Sequence, residues 1–350
     1  MQFIDLLDKV VELGASDLHM TVGLPPMIRL NGELTKLDEQ RLLNPDMVTF
    51  CHEIMSDEQF GVLNKNGELD FAYSVRDKGR FRVNAFKQRG TYAIVARIVN
   101  LYIPSPDELG LPAALMEMCH KKRGLVLVTG ATGSGKSTTL ACMIDQINKT
   151  YHHHVITLED PIEYLHKHNL SVINQREVGN DTKSFGAALR GALRQDPDVI
   201  LVGEMRDLDT ITTAITAAET GHLVFSTLHT IGAANTIDRI IDVFPPEQQD
   251  QIRTQLADVL QCVVSQQLLP KIGGGRVGAF ELMISNSAIK NNIREGKTFQ
   301  IASVMQTNQK LGMKTMDDAI LQLFLKKYVT REDALAYSQD KLTLEKRISF

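Results

Sequence analysis

Cysteine is scarce: the 350 residues contain four, at Cys51, Cys119, Cys142 and Cys262, and no two are spaced as CxxC. That scatter excludes a zinc ribbon and a disulfide framework, and it suits a reducing compartment. Excess charge of either sign is also lacking. The net charge is −4, and residues 1–110 hold 12 Lys and Arg against 16 Asp and Glu, which leaves residues 111–350 in balance. Neither part is a basic body made to lie on nucleic acid or anionic lipid. No apolar run approaches the roughly 20 residues of a membrane span, and the start "FIDLLDKVVELG" is amphipathic, unlike a secretory leader. The expectation is a cytoplasmic protein that reaches the inner face of a membrane only through partners. What is present is ordinary for a globular chain, 43% apolar and 23% charged residues, in a length that allows two domains with separate cores.

Residues 1–14 read as a helix, with Ile4, Leu7, Val10, Val11 and Leu13 at helical spacing and Gly14 as its stop. Strands are expected in "SDLHMTV", "PPMIRLNGEL" and "GELDFAYSV", with one amphipathic helical stretch near residues 46–64. "RFRVNAFKQR" and "TYAIVARIV" predict a hairpin turning at Arg89-Gly90. These pieces make a small α+β domain over residues 1–100. The proline-rich "LYIPSPDELGLP", residues 101–112, reads as a linker. From Gly124 the buried strands "GLVLVTG", "HVITLED", "DVILVGE" and "HLVFSTLHT" alternate with helical segments, the rhythm of a doubly wound α/β sheet. The second domain is therefore 113–350, turning helical from about residue 286.

"GATGSGKS", Gly130 to Ser137, matches GxxxxGK[ST] between an apolar strand and a helix. Gly130, Gly133 and Gly135 allow a tight turn, so the backbone N–H groups from Thr132 through Ser134 to Lys136 can wrap phosphates. Lys136 brings a cation to the β/γ oxygens, the Ser137 hydroxyl is a magnesium ligand, and Thr138 follows as a further nucleotide contact. ATP and Mg²⁺ are the implied cofactors.

Such a site needs one carboxylate near the metal and another to orient the attacking water. "PDVILVGEMRD" places Gly203 where an aspartate is expected after the apolar run, with Glu204 next. "VITLEDPIEY" ends in Glu159 and Asp160, and Pro161 turns the chain so that Glu163 comes around. Glu163 is assigned as the water-orienting base, Glu204 as the metal-side carboxylate, and Glu159 and Asp160 as supporting groups. In "ETGHLVFSTLHT", His222 begins the apolar strand and His229 ends it. Seven positions apart at period two, they face opposite sides, and a histidine at the far end can contact a γ-phosphate or a glutamate. The triplet His152–His154 reads as a solvated loop, since adjacent histidines cannot point one way. "RDKGRFRVNAFKQR" carries Arg76, Lys78, Arg80, Arg82, Lys87 and Arg89 with a single acid. It reads as a hairpin with solvated charges, as a nucleic-acid stripe with Phe86 and Tyr92 for stacking, or as arginines reaching another subunit's phosphate.

"GATGSGKSTT", "LEDPIEY", "VILVGEMRD" and "TGHLVFSTLHT", in that order, resemble the secretion/pilus traffic ATPases over nearly the whole chain. "GASDLHMTVGLPPMIRLNGEL" resembles the start of that family's PAS-like N-terminal domain. "SAIKNNIREG", residues 287–296, is similar to a helix of the family's type IV pilus retraction motors, departing from it at Lys290 and Asn292. The resemblance implies a RecA-like P-loop ATPase domain behind the PAS-like one, and a homo-hexameric ring. It also implies ATP held between the two domains and an inner-membrane pilus platform protein as partner, without direct nucleic-acid binding. By the same resemblance Arg82 and Arg97 are candidates for γ-phosphate contact, His222 takes the histidine role, and Ile289, Ile293 and Arg294 couple the motor to retraction. An assembly, secretion or DNA-uptake ATPase of the same family is the nearest alternative, a nucleic-acid translocase the next.

Overall fold

The computed structural model describes residues 2–30, 32–75, 79–99 and 102–348. The chain forms two compact units, Met1–Leu101 and Tyr102–Phe350. Arg76 and Lys78 of the basic run lie outside the described residues.

The first unit holds α1 (Phe3–Glu12), β1 (Asp17–Thr21), β2 (Met27–Leu30), β3 (Glu33–Lys36), α2 (Asn44–Ile54), α3 (Asp57–Asn66), β4 (Glu68–Val75), β5 (Gly79–Gln88) and β6 (Thr91–Ile98). Its sheet is antiparallel in the order β3-β2-β1-β6-β5-β4. The core face of α1 is Phe3, Leu6, Leu7 and Val10. The expected stripe was rotated from this one: Leu13 is the C-cap and 52% exposed, because a residue past the last turn no longer follows the helical period. The single helical stretch expected near 46–64 is two helices. Ser56 breaks it by capping α3, its Oγ accepting from Gln59 N while Gln59 Oε1 accepts from Ser56 N, a reciprocal pair that fixes a helix start. The β5–β6 hairpin turns at Arg89 and Gly90, both at positive φ, 48° and 78°, as a two-residue turn matching strand twist requires. Phe81, Val83 and Ala85 are fully buried while Arg82 alternates outward.

In the second unit, α4 (Pro106–Leu109) and α5 (Ala113–Met116) precede β7 (Gly124–Thr129), α6 (Lys136–Thr150), β8 (His154–Glu159), β9 (Val172–Glu177), α7 (Phe185–Ala192), β10 (Val199–Val202), α8 (Leu208–Glu219), β11 (Leu223–Leu228), α9 (Ala233–Asp242) and α10 (Pro246–Val259). Then come β12 (Leu260–Pro270), β13 (Arg276–Ile284), α11 (Ser287–Arg294), α12 (Ile301–Thr307), α13 (Met316–Leu325), α14 (Arg331–Tyr337) and α15 (Lys341–Ile348). The sheet order is β13-β12-β7-β11-β10-β8-β9, parallel except for β13.

Both faces of this sheet are covered, which is why its central strands are continuous apolar runs. Leu125 and Leu127 face one core with α7–α10, and Val126 and Val128 face the other with Leu140, Met143, Ile144 and Ile147 of α6. This is the RecA-like arrangement expected. Three strands were not read from the sequence: β9, β12 and β13.

Candidate active site at the carboxyl edge of the parallel sheet

Because β7, β8, β10 and β11 run parallel and in register, the residues that follow them emerge on one edge. Gly130 follows β7, Glu159 closes β8, Gly203 and Glu204 follow β10, and His229 follows β11. Open α/β sheets bind ligands at this edge. Here the edge carries a cleft of about 480 Å³, lined among others by Lys136, Ser137, Glu163, Glu204, His229 and Arg276. That volume suits a small-molecule ligand.

The loop 130–135 leads into α6. Gly130 has φ 141°, and a Cβ there would stand 2.4 Å from the carbonyl oxygen of Gln266, so the first glycine is demanded by close backbone approach. Lys136 Nζ donates to the carbonyls of Gly130 (2.9 Å) and Ala131 (3.1 Å). Burial pulls the Lys136 ammonium below its usual range, opposed by the charges of Glu163 and Glu204.

Gly203 answers why the usual aspartate is missing. Its N–H donates to Leu158 O at 2.7 Å, and a Cβ would lie 3.1 Å from that same oxygen and 3.4 Å from the Phe185 ring. A side chain here would have to push these neighbours aside by a few tenths of an ångström, and the carboxylate stands one residue on. Glu204, whose side chain is 14% exposed, pairs with Arg206 Nε at 2.7 Å and approaches His229 Nε2 at 3.5 Å. His229 Nδ1 in turn lies 3.4 Å from Thr132 Oγ1. One imidazole thus spans the phosphate loop and the carboxylate.

Glu163 is exposed in the cleft on the loop after β8. The edge strand β9 holds that loop: Gln175 Nε2 donates to Tyr164 O (2.8 Å), Gln175 Oε1 accepts from His166 N (2.8 Å), and Glu177 Oε2 accepts from Ile162 N (3.1 Å). Tyr164 OH and Thr138 Oγ1 meet at 2.9 Å, joining the loop to α6. Burial pushes the Glu159 carboxyl above its ordinary value, partly offset by bonds from Thr157 and Gln175; it supports the edge from within.

Several expectations change. His222 sits at the amino end of β11, its Nδ1 against Ala217 O at 2.9 Å, and does not line the cleft. Six strand residues separate it from His229, about 20 Å along the strand. Both histidines stand outside the strand proper, so its alternation did not govern them. Ile289 and Ile293 are wholly buried in the core shared with α10 and α12. They anchor α11 and cannot meet a partner directly; Arg294 is 42% exposed but paired with Asp258. In the first unit Arg82 and Arg97 are direct cross-strand partners. Arg97 Nε donates to buried Asp17 at 2.7 Å, whereas Arg82 stands 4.0 Å from exposed Asp70. In the His152–His154 run, His152 is exposed as expected, whereas His153 stacks on Tyr151 and His154 Nδ1 meets Asp196 O.

Sequence reasoning missed Arg206, Tyr164, His166, Leu268 and Arg276 as cleft residues. Arg206 was legible two places after Glu204. Leu268 and Arg276 required the β12–β13 hairpin, which brings Arg276 opposite Pro270 at the same edge.

A glycine-rich phosphate loop with carboxylates on neighbouring parallel strands defines a P-loop nucleotide-binding protein. More narrowly, the chain belongs to the type II/IV secretion system protein family, which it matches over residues 6–274. It is 49% identical over 334 residues to the type IV pilus retraction ATPase PilT of Pseudomonas aeruginosa, covering 95% of this chain and 97% of that one. It is 46% identical over 316 residues to a twitching motility protein of Neisseria gonorrhoeae, covering 90% and 84%. A crystal structure of the pilus retraction motor PilT with bound ADP superposes with a TM-score of 0.92 at 52% identity over 99% of both chains.

Proposed function

We propose that the chain is an ATP-hydrolysing motor that powers type IV pilus retraction, and hence twitching motility. The observation that carries this reading is the convergence of Lys136, Ser137, Glu163, Glu204 and His229 on one cleft, in a chain so similar to a retraction ATPase. The phosphate loop from Gly130 to Thr138 binds the triphosphate. Lys136, now satisfied by loop carbonyls, exchanges them for phosphate oxygens. Glu163 orients the attacking water, and His229 relays the state of the phosphates from Thr132 to Glu204.

The Ser137 hydroxyl and the Glu204 carboxylate are hard oxygen donors of the kind magnesium takes. They would hold Mg²⁺, directly or through water, and the cation would neutralise charge on the β- and γ-phosphates. Among the described residues no cluster of three or more His, Cys, Asp or Glu forms a protein-only metal site, and a nucleotide-bound magnesium needs none.

The reading assigns residues 1–100 to a PAS-like domain, 101–112 to a linker and 113–350 to the ATPase domain. It makes the working unit a homo-hexamer on the cytoplasmic side of an inner membrane, bound through a pilus platform protein. No described helix is long and apolar enough to cross a membrane. Of the two arginines, Arg82 holds the looser pair, 4.0 Å from Asp70, and is the one to meet a γ-phosphate, whereas Arg97 is bound to Asp17 at 2.7 Å. Arg82→Ala is expected to lower kcat at least tenfold, in keeping with cations on a transferring phosphoryl group, while Arg97→Ala chiefly destabilises the first unit. Deletion of the gene, complemented with wild type or Lys136→Ala, tests the biological role. Surface filaments that persist without retracting support it; absence of filaments assigns the chain to assembly instead.

A further inference from the structure

We infer that Gln266, on β12, is a positioning residue that holds the phosphate loop in its binding shape before nucleotide arrives. The inference rests on residues 130–137 being the phosphate site and names what sets its geometry.

A loop that turns its N–H groups toward a ligand turns carbonyls the other way, and a buried carbonyl needs a donor. The Ser134 carbonyl is such a group. Gln266, 2% exposed, donates to it from Nε2 at 2.6 Å, and its Oε1 accepts from Thr139 Oγ1 at 2.9 Å. One carboxamide therefore ties the middle of the loop to the first turn of α6. Partner chemistry fixes the amide orientation, since a carbonyl accepts only and must face the NH₂ group.

The backbone supports the same clamp. The site where a Cβ of Gly130 would stand is 2.4 Å from Gln266 O, and that of Gly135 is 3.1 Å from Gln266 Nε2. Strand β12 thus lies against both ends of the loop, and the adjacent Ser265 Oγ accepts from Gly232 N at 3.0 Å, holding the segment that follows His229. Without the carboxamide the loop must be ordered by the ligand, which weakens binding more than it slows chemistry.

The experiment uses the full-length protein with ADP binding followed by a fluorescent ADP analogue, and steady-state ATP hydrolysis. Gln266→Met is expected to raise both the Kd for ADP and the KM for ATP about tenfold, with kcat changed less than about threefold. Gln266→Glu sets a carboxylate oxygen against Ser134 O. Its binding defect is expected to shrink as pH falls from 8 to 6, because the buried carboxyl takes up a proton and can then donate; wild type is the reference at each pH. A purely structural role lowers Tm without that split or that pH rescue. Wild-type Kd and KM in Gln266→Met overturn the inference, and so does a Gln266→Glu defect that does not respond to pH. If Gln266→Met does not fold, the Gln266→Glu pH series decides. Lys136→Ala is the control: if it binds ADP as wild type does, the phosphate-site assignment itself fails, whereas a deficient Lys136→Ala beside a normal Gln266→Met removes only the role of Gln266.

Discussion

At Gly203, where a P-loop protein would lead one to expect a carboxylate, a Cβ would crowd Leu158 O and the Phe185 ring. Gly203→Asp is therefore expected to destabilise the protein by about 1–3 kcal/mol through overpacking against Leu158 O and Phe185, read by urea denaturation, and to lower activity. The two histidines of "TGHLVFSTLHT" separate cleanly. His229→Ala should reduce kcat by about tenfold or more, as loss of a polar group in a phosphoryl-transfer site does, while His222→Ala leaves kcat within about threefold of wild type. Steady-state phosphate release measures both. His166 offers a pH test. Burial pulls its imidazole down to about 4 from 6.5, against the pull of Asp145, and its buried Nδ1 has no hydrogen-bond partner among the described residues. The folded value lies below the unfolded one, so the unfolded chain takes up the proton first. Stability from this group is intact above pH 6.5 and falls as pH drops toward 4. His166→Gln should flatten that part of the stability–pH profile in denaturation curves.

Among the elements, α11 shows a motif doing structural service. Ile293 is fully buried, so Ile293→Ala should cost about 2–5 kcal/mol, as large-to-small core changes do, visible as a lower denaturation midpoint. Direct loss of a partner contact is not expected. The strands that carry the site were legible in the sequence because each is a run of apolar residues ending in chemistry: "GLVLVTG", "VITLED", "VILVGE" and "LVFSTLH". Edge strand β9, "VINQRE", was not, since only Ile173 of its side chains enters an apolar core, while Gln175 and Glu177 bond the loop after β8 and Asn174 and Arg176 bond His154 and Asp181. Strand β12 was hidden for a related reason. Ser265 and Gln266 are buried polar residues whose partners lie 33 and at least 127 positions away, and no local pattern encodes those distances. The first unit's strands were legible in place, but "PPMIRLNGEL", read as one strand, belongs to the antiparallel pair β2 and β3, whose exposed β3 carries no alternation, and the helix break at Ser56 was not weighed against the longer amphipathic run.

For the whole molecule, the motor reading predicts assembly. Light scattering on the purified protein should give the mass of a hexamer at micromolar concentration, and a monomer under all nucleotide conditions would speak against a ring. The central claim is narrower: the carboxyl-edge cleft of residues 102–350 binds ATP through Lys136 and cleaves it with the help of Glu204 and Glu163. The measurement that tests it most directly is magnesium-dependent phosphate release by wild type beside Glu204→Ala and Lys136→Ala. The account predicts turnover by wild type and a loss of at least about a hundredfold in each variant, the scale for removing a group that stabilises a phosphoryl-transfer transition state. Activity near wild type in both variants would contradict it.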